Sequence, residues 1–282
     1  MSIQVDDLAP GIQRHTPRYG SRYYTWQTPD GELKLPSVTT YINGGIPKPW
    51  LGRWVAKVIA EKMVAMAADP DYMIRRLQDE DGAKWVKGLP YADRDRAADL
   101  GTLVHNIADK LSLGEPWEHL ITPQSEPYID QFQRFWKDFN PTLKASEAPV
   151  INTKRIYAGT LDAIMQIGPY TLLIDYKTGK GVYNETALQL CAYRNAEYIL
   201  HPDQGVQPMP PVDGAAVLHL TPHSYALIPF NTSDEIWRTF LYAREVYRWT
   251  RDIESTVQAE PVKIPDALVF SDFIDPIGDD TA

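Results

Sequence analysis

"TLLIDYKTGKG", residues 171–181, decides how this chain is read. Leu172, Leu173 and Ile174 form the apolar run of a buried strand. The run closes on Asp175, Tyr176 and Lys177, followed by Thr178 and Gly179. Residues two apart on a strand share a face, so a carboxylate and an ammonium stand side by side at the end of a core strand. Just upstream, "IGPY" (167–170) is a turn signal, and Pro169, which has no N–H to give a ladder, belongs in the turn. A hairpin centred between Gly168 and Pro169 sets Asp162 opposite Asp175, with Cβ atoms roughly 5 Å apart. The same register groups Leu161, Ala163 and Met165 with Leu172, Ile174 and Tyr176. The other face then carries Thr160, Asp162 and Ile164 with Leu173, Asp175 and Lys177. Two facing carboxylates repel unless one is protonated or a cation sits between them. Oxygen ligands at that spacing suit magnesium or manganese, and a neighbouring lysine polarises a water or stabilises an oxyanion. Taken alone, Asp-x-Lys is equally the pattern of a solvated strand end.

Around this hairpin the 282 residues have ordinary globular composition, 44% hydrophobic and 23% charged. Acids outnumber bases 37 to 28, for a net charge of −9, which argues against a broadly basic nucleic-acid binder but says little about a cleft. The single cysteine, Cys191, excludes an intrachain disulfide framework and suits a reducing cytoplasm. There is no apolar run of membrane-spanning length and no basic-then-apolar leader pattern, so a cytoplasmic chain is expected.

The remaining elements follow from period and punctuation. "YYTWQ" and "ELKLPSV" read as strands around Pro29-Asp30-Gly31. Helices are expected over 49–68, with Leu51, Val55, Ile59, Met63 and Met66 as its stripe, over 71–87, and over 91–111, ended by Gly114 and Pro116. Another spans 125–139 behind Ser125. Residues 148–179 are strand-like, 184–200 helical, and 213–230 two strands around Thr221-Pro222-His223. A late helix starts at Ser233. The pattern predicts one α/β (α+β) domain over 1–282, a central mixed sheet flanked by helices. Its parts are an arm and helices (1–90), the core motifs (91–200), late strands and a helix (201–260), and a flexible acidic tail (261–282).

Several local signals also stand in a telling order. "GTLVH" carries His105, "GTLDA" Asp162, "IDYKTGK" Asp175 and Lys177, and "ALQLCAYRNA" Gln189 and Tyr193. That order resembles the PD-(D/E)XK nuclease superfamily, and within it the RecB-like branch of phage exonucleases related to the CRISPR-associated exonucleases. The likeness covers residues 101–194, with a looser match over 35–60. It implies a restriction-endonuclease-like core and a metal-dependent DNA nuclease, a hydrolase of phosphodiester bonds acting as an exonuclease in phage DNA recombination, repair or replication.

The resemblance also implies roles. His105, Asp162, Asp175 and the main-chain carbonyl of Tyr176 would hold Mg²⁺ or Mn²⁺. Lys177 would orient or activate the attacking water, and Gln189 and Tyr193 would line the cleft. Glu147 in "ASEAPV" is a secondary acidic candidate. With one cysteine, no iron–sulfur cluster is expected. Lys154, Arg155, Thr178, Lys180 and Arg194 are candidate DNA contacts, and Arg18, Arg22, Tyr23, Tyr24 and Trp26 candidate base-stacking or covering residues. DNA is the expected partner, in the cytoplasm of a bacterial host if the chain is phage-encoded. A homo-oligomer and a recombination or replication partner both stay open. The rival reading is an inactive nucleic-acid-binding module with a nuclease fold.

Overall fold

The computed structural model describes residues 3–17 and 20–258; the tail expected over 261–282 and Arg18 lie outside them. The described residues form a mixed α/β architecture of the α+β kind, with two sheets flanked by helices. The larger sheet is built from β5 (Thr142–Asn152), β6 (Tyr157–Ile167), β7 (Tyr170–Lys177), β8 (Tyr198–His201), β9 (Gly205–Pro208), β10 (Gly214–Leu220) and β11 (Tyr225–Phe230). Its order is β11-β10-β7-β6-β5-β8-β9, antiparallel except where β10 runs parallel to β7. The smaller is an antiparallel meander of β1 (Ile3–Ala9), β2 (Ile12–Pro17), β3 (Tyr23–Thr28) and β4 (Gly31–Pro36).

The β6–β7 hairpin keeps the expected register from Ala163↔Ile174 to Ile167↔Tyr170. Its two-residue turn opens on Gly168 at φ +57, followed by Pro169, the type II′ arrangement that matches strand twist. Pairing stops one step before Asp162 and Asp175. There Asp162 Oδ2 accepts the Tyr176 N–H at 2.6 Å instead.

The expected face assignment needs one correction. Leu161 packs in the same core as Ile164 and Leu173, away from Ala163 and Met165. The cause lies on the neighbouring strand. Glu147 has φ +42, a left-handed backbone that a non-glycine residue adopts at a cost. The β5–β6 ladder pairs Ser146↔Ala163 and Ala148↔Leu161 but skips the Glu147/Asp162 position between them. Alternation therefore slips by one on both strands, and Glu147 and Asp162 leave the regular pleat together.

Seven α-helices flank the sheets among the described residues: α1 (Val38–Gly45), α2 (Trp50–Met66), α3 (Pro70–Gln78), α4 (Gly82–Leu113), α5 (Glu126–Phe139), α6 (Thr186–Arg194) and α7 (Asp234–Arg248). One face of the large sheet packs on α1, α6 and α7 through Val38, Leu190 and Phe240. The other packs on α4 and α5 through Val104, Ile107, Phe132 and Phe135. The small sheet lies against β6 through Ile12, Tyr24, Leu35 and Ala158.

Four expectations shift. The N-terminal segment forms β1 and β2, which alternation too short and too polar did not announce. Residues 71–87 divide into α3 and the start of α4, because Asp79-Glu80-Asp81 interrupts them. α4 then runs 32 residues through Pro90 to Gly114, whose φ of +71 closes it. The helix expected over 184–200 ends at Arg194, and Tyr198–His201 becomes strand β8. Its aromatic and branched residues favour the sheet edge beside β5.

Candidate metal and phosphate cleft

Where β6 and β7 part, a cleft of ≈ 580 Å³ opens between the two sheets and α4. His105, Glu147, Asp162, Asp175, Lys177, Gln189 and Tyr193 all line it. α4 supplies His105, half-buried, with Nδ1 3.6 Å from Asp162 Oδ1. The Tyr176 ring meets the imidazole edge-on at 5.6 Å, so burying the tyrosine orients the histidine. His105, Glu147 and Asp162 each offer one ligand atom, and these lie within 4.8 Å of one another. One imidazole nitrogen and two carboxylates are a donor set that fits a divalent cation.

Asp175 stands beside this trio with its own partners. It is 2% exposed. Gln189 Nε2 donates to Oδ1 at 2.9 Å, and Lys177 Nζ lies 2.5 Å from Oδ2. The ammonium is at ion-pair distance without hydrogen-bond alignment, so Oδ2 keeps no hydrogen bond. The expected side-chain ligands therefore line one cleft, but the residue grouped with His105 and Asp162 is Glu147, the secondary candidate, and not Asp175. Tyr176 touches Asp162 through its N–H, and its phenol points into the α4–α5 core beside Phe132.

Crowded charge displaces the titrations. Burial opposes charge on His105, but the Asp162 carboxylate outweighs it and lifts the pKa to about 9. Burial and the charge of Asp162 push Glu147 up to about 7 and Asp175 to about 6. Burial raises Asp162 too, yet His105 and Lys177 hold it below its ordinary value. Burial works against the charge on Lys177, and Asp175 and Asp162 more than restore it. Carboxylates raised by burial and by mutual repulsion, next to a histidine whose pKa a carboxylate lifts, are the state that a bound cation relieves by taking the proton's place.

Gln189 and Tyr193 come from one face of α6, with Gln189 Nε2 3.3 Å from the tyrosine hydroxyl. Tyr193 fits because residue 159 is glycine: a Cβ there would stand 2.3 Å from the ring. The glycine of "GTLDA" thus serves the tyrosine of "CAYRN".

The expected DNA contacts are placed differently. Lys154 and Arg155 sit on the exposed β5–β6 turn, Lys180 is exposed, and Arg194 bonds Thr232. Thr178 lies against Gly101 of α4. None of these five lines the cleft. Its wall instead carries Arg14 of β2 and Arg22, the residue before β3, with Asp6 paired to Arg14 at 3.1 Å. Tyr24 is buried, its hydroxyl 3.1 Å from Thr160, and so is unavailable for stacking. Trp26 packs against the small-sheet core, and Tyr23 stacks on His15 at 4.6 Å. Sequence reasoning also passed over Asp109, one helical turn beyond His105. It accepts a hydrogen bond from Ser146 at 2.5 Å and braces the strand next to Glu147. The i, i+4 spacing of His105 and Asp109 was the signal available for it.

No family model matches the chain, and no curated protein matches it. Among solved structures, one titled "Crystal structure of SSO0001" is similar at 15% identity. The match covers 72% of this chain and 86% of that chain at a TM-score of 0.29, a likeness that carries no argument. Among the described residues no helix is long and apolar enough to cross a membrane.

Proposed function

We propose that this protein is a metal-dependent DNA nuclease of the RecB-like PD-(D/E)XK kind, an exonuclease serving phage recombination, repair or replication. One observation carries the reading: Asp175 and Lys177, two residues apart on β7, enter the same cleft as the His105, Glu147 and Asp162 donor trio. His105, Glu147 and Asp162 would hold Mg²⁺ or Mn²⁺, with Asp175 beside them. A divalent ion bound there supplies a lowered water pKa and charge neutralisation at the scissile phosphate.

The chain's own groups do the positioning. Gln189 occupies Asp175 Oδ1, which leaves Oδ2 to face Lys177. Lys177 stays charged beside two carboxylates and presents donors to the attacking water or the phosphate. Tyr176 fixes Asp162 through its N–H and His105 through its ring. Arg14 and Arg22 on the opposite wall offer guanidinium donors to a phosphodiester backbone.

The test is incubation of end-labelled linear and closed circular DNA with Mg²⁺, Mn²⁺ or chelator, beside Lys177→Ala. The expected result is metal-dependent loss of linear DNA only, reduced on the order of 10²–10³-fold in the variant. Cleavage of both forms would make it an endonuclease. No cleavage with either metal would reject the enzyme reading. Metal-dependent thermal stabilisation of the wild type, absent in Asp162→Ala, separately checks the ion site.

A further inference from the structure

We infer that a second, aromatic pocket beside the cleft holds an unpaired nucleobase of the strand being cut, so that the substrate is DNA with a single-stranded segment next to the scissile bond. The inference rests on the nuclease reading. The pocket, ≈ 610 Å³, is lined by Trp50, Leu51, Trp54, Arg94, Tyr183 and the Asn184-Glu185 pair. Trp50 is 56% exposed and Tyr183 72%. Large planar side chains left in water next to one another are surface held ready for a planar apolar partner.

The pocket has a stiff back. Trp54 packs on Tyr91 with ring centroids 6.4 Å apart, and the Arg94 guanidinium lies 4.7 Å over that tyrosine. A salt bridge of 3.1 Å from Lys48 to Glu185 ties the loop carrying Tyr183 to the chain entering α2. Glu185 is thereby neutralised at the rim where an acidic group would repel a phosphate.

Two links join pocket and cleft. Tyr183 belongs to the loop that leaves Lys177 at the end of β7. On α4, Arg94 and His105 are three helical turns apart on nearly the same face, about 16 Å along the axis. Between them Gly101 passes close enough to Thr178 that a Cβ would lie 3.2 Å from its hydroxyl. A strand whose phosphate meets the His105 end of this face has bases within a few nucleotides of the Arg94 end. A base in the pocket must be out of the duplex stack. Stacking is tolerant of sequence, because every base presents a π-face.

The test is fluorescence anisotropy in chelator, so that cleavage does not intrude. A labelled single-stranded oligonucleotide is compared with the same strand carrying abasic positions, on wild type, Trp50→Ala and Tyr183→Ala. Both residues are exposed, so neither substitution threatens folding. Each variant is expected to bind the normal strand about tenfold more weakly. The wild type should bind the abasic strand as weakly as the variants do, and the variants should not distinguish the two strands. Equal binding of both strands by wild type overturns the inference, as do variants that bind like wild type. A wild-type oligomer that Trp50→Ala dissociates with strand binding unchanged also overturns it, because the face would then be covered by a second copy. Cleavage is scored separately. Base-dependent binding without metal-dependent cleavage would reject the nuclease and keep the pocket, whereas cleavage with base-independent binding would do the reverse.

Discussion

The β6–β7 hairpin and the α2–α3 segment are comparably apolar in sequence and meet opposite fates. In the hairpin Leu173, Ile174, Ala163 and Ile164 are fully buried between two helical layers. In α2 and α3 no residue is buried, and Val64, Ile74 and Leu77 are 76%, 47% and 43% exposed. These helices touch one another and the first half of α4 and form a projection beside the sheet. The difference teaches that periodicity makes a helix, whereas burial needs a second layer to receive its stripe. Of the stripe Leu51, Val55, Ile59, Met63 and Met66, Leu51 is exposed and the others are only half-buried. What the projection does have, at its root, is an aromatic pocket next to the cleft.

The contrast breaks most directly on stability. Leu173→Ala, in the fully buried hairpin, is expected to cost about 2–5 kcal/mol in denaturant unfolding. A cost below about 1 kcal/mol would mean that the hairpin is not the core.

Gly159→Ala sharpens the link between hairpin and site. The added methyl collides with Tyr193, which is 4% exposed and has little room to move. Overpacking of this kind costs about 1–3 kcal/mol. On the proposed nuclease reading cleavage should fall as well, since Tyr193 shares Gln189 with Asp175. Unchanged stability and activity would show that the ring is free to leave.

A pH comparison reads the other end of the same strands. Glu197 closes the β5–β6 turn by accepting from Thr153 N at 2.7 Å and Oγ1 at 2.6 Å, with Lys154 Nζ at 2.9 Å. Burial raises its carboxyl, but these bonds together outweigh it and draw it down to about 2. A folded pKa below the unfolded one stabilises above the unfolded value, near 4.5, and is lost as pH falls toward 2. Glu197→Gln should lower stability by about 1–2 kcal/mol at pH 7, discounted for its position at the rim. The gap from wild type should narrow at pH 3 in thermal unfolding, and a constant gap would assign the effect to packing.

The smallest effect is expected in the projection. Val64→Ala should change stability by less than about 0.5 kcal/mol by the same denaturant measurement. A loss above about 2 kcal/mol would show that α2 is covered by a partner or second copy in solution.

Much of the site is written locally. Asp162, Asp175 and Lys177 follow from one hairpin, because a turn of Gly168-Pro169 and a period of two set which residues meet within about fifteen positions. The helices bearing His105 and the Gln189–Tyr193 pair are likewise legible from spacing along one element. Tertiary structure decided the rest. Glu147 reaches the trio through a left-handed backbone that pattern does not encode. Arg14 and Arg22 arrive from the β2–β3 region more than a hundred residues upstream, and Gly159 is glycine because of a ring on another element. Local pairing depends on dihedrals and register, which a short stretch specifies by itself. Assembly of a cleft depends on which apolar faces find each other across the chain, and that is settled only when the layers pack.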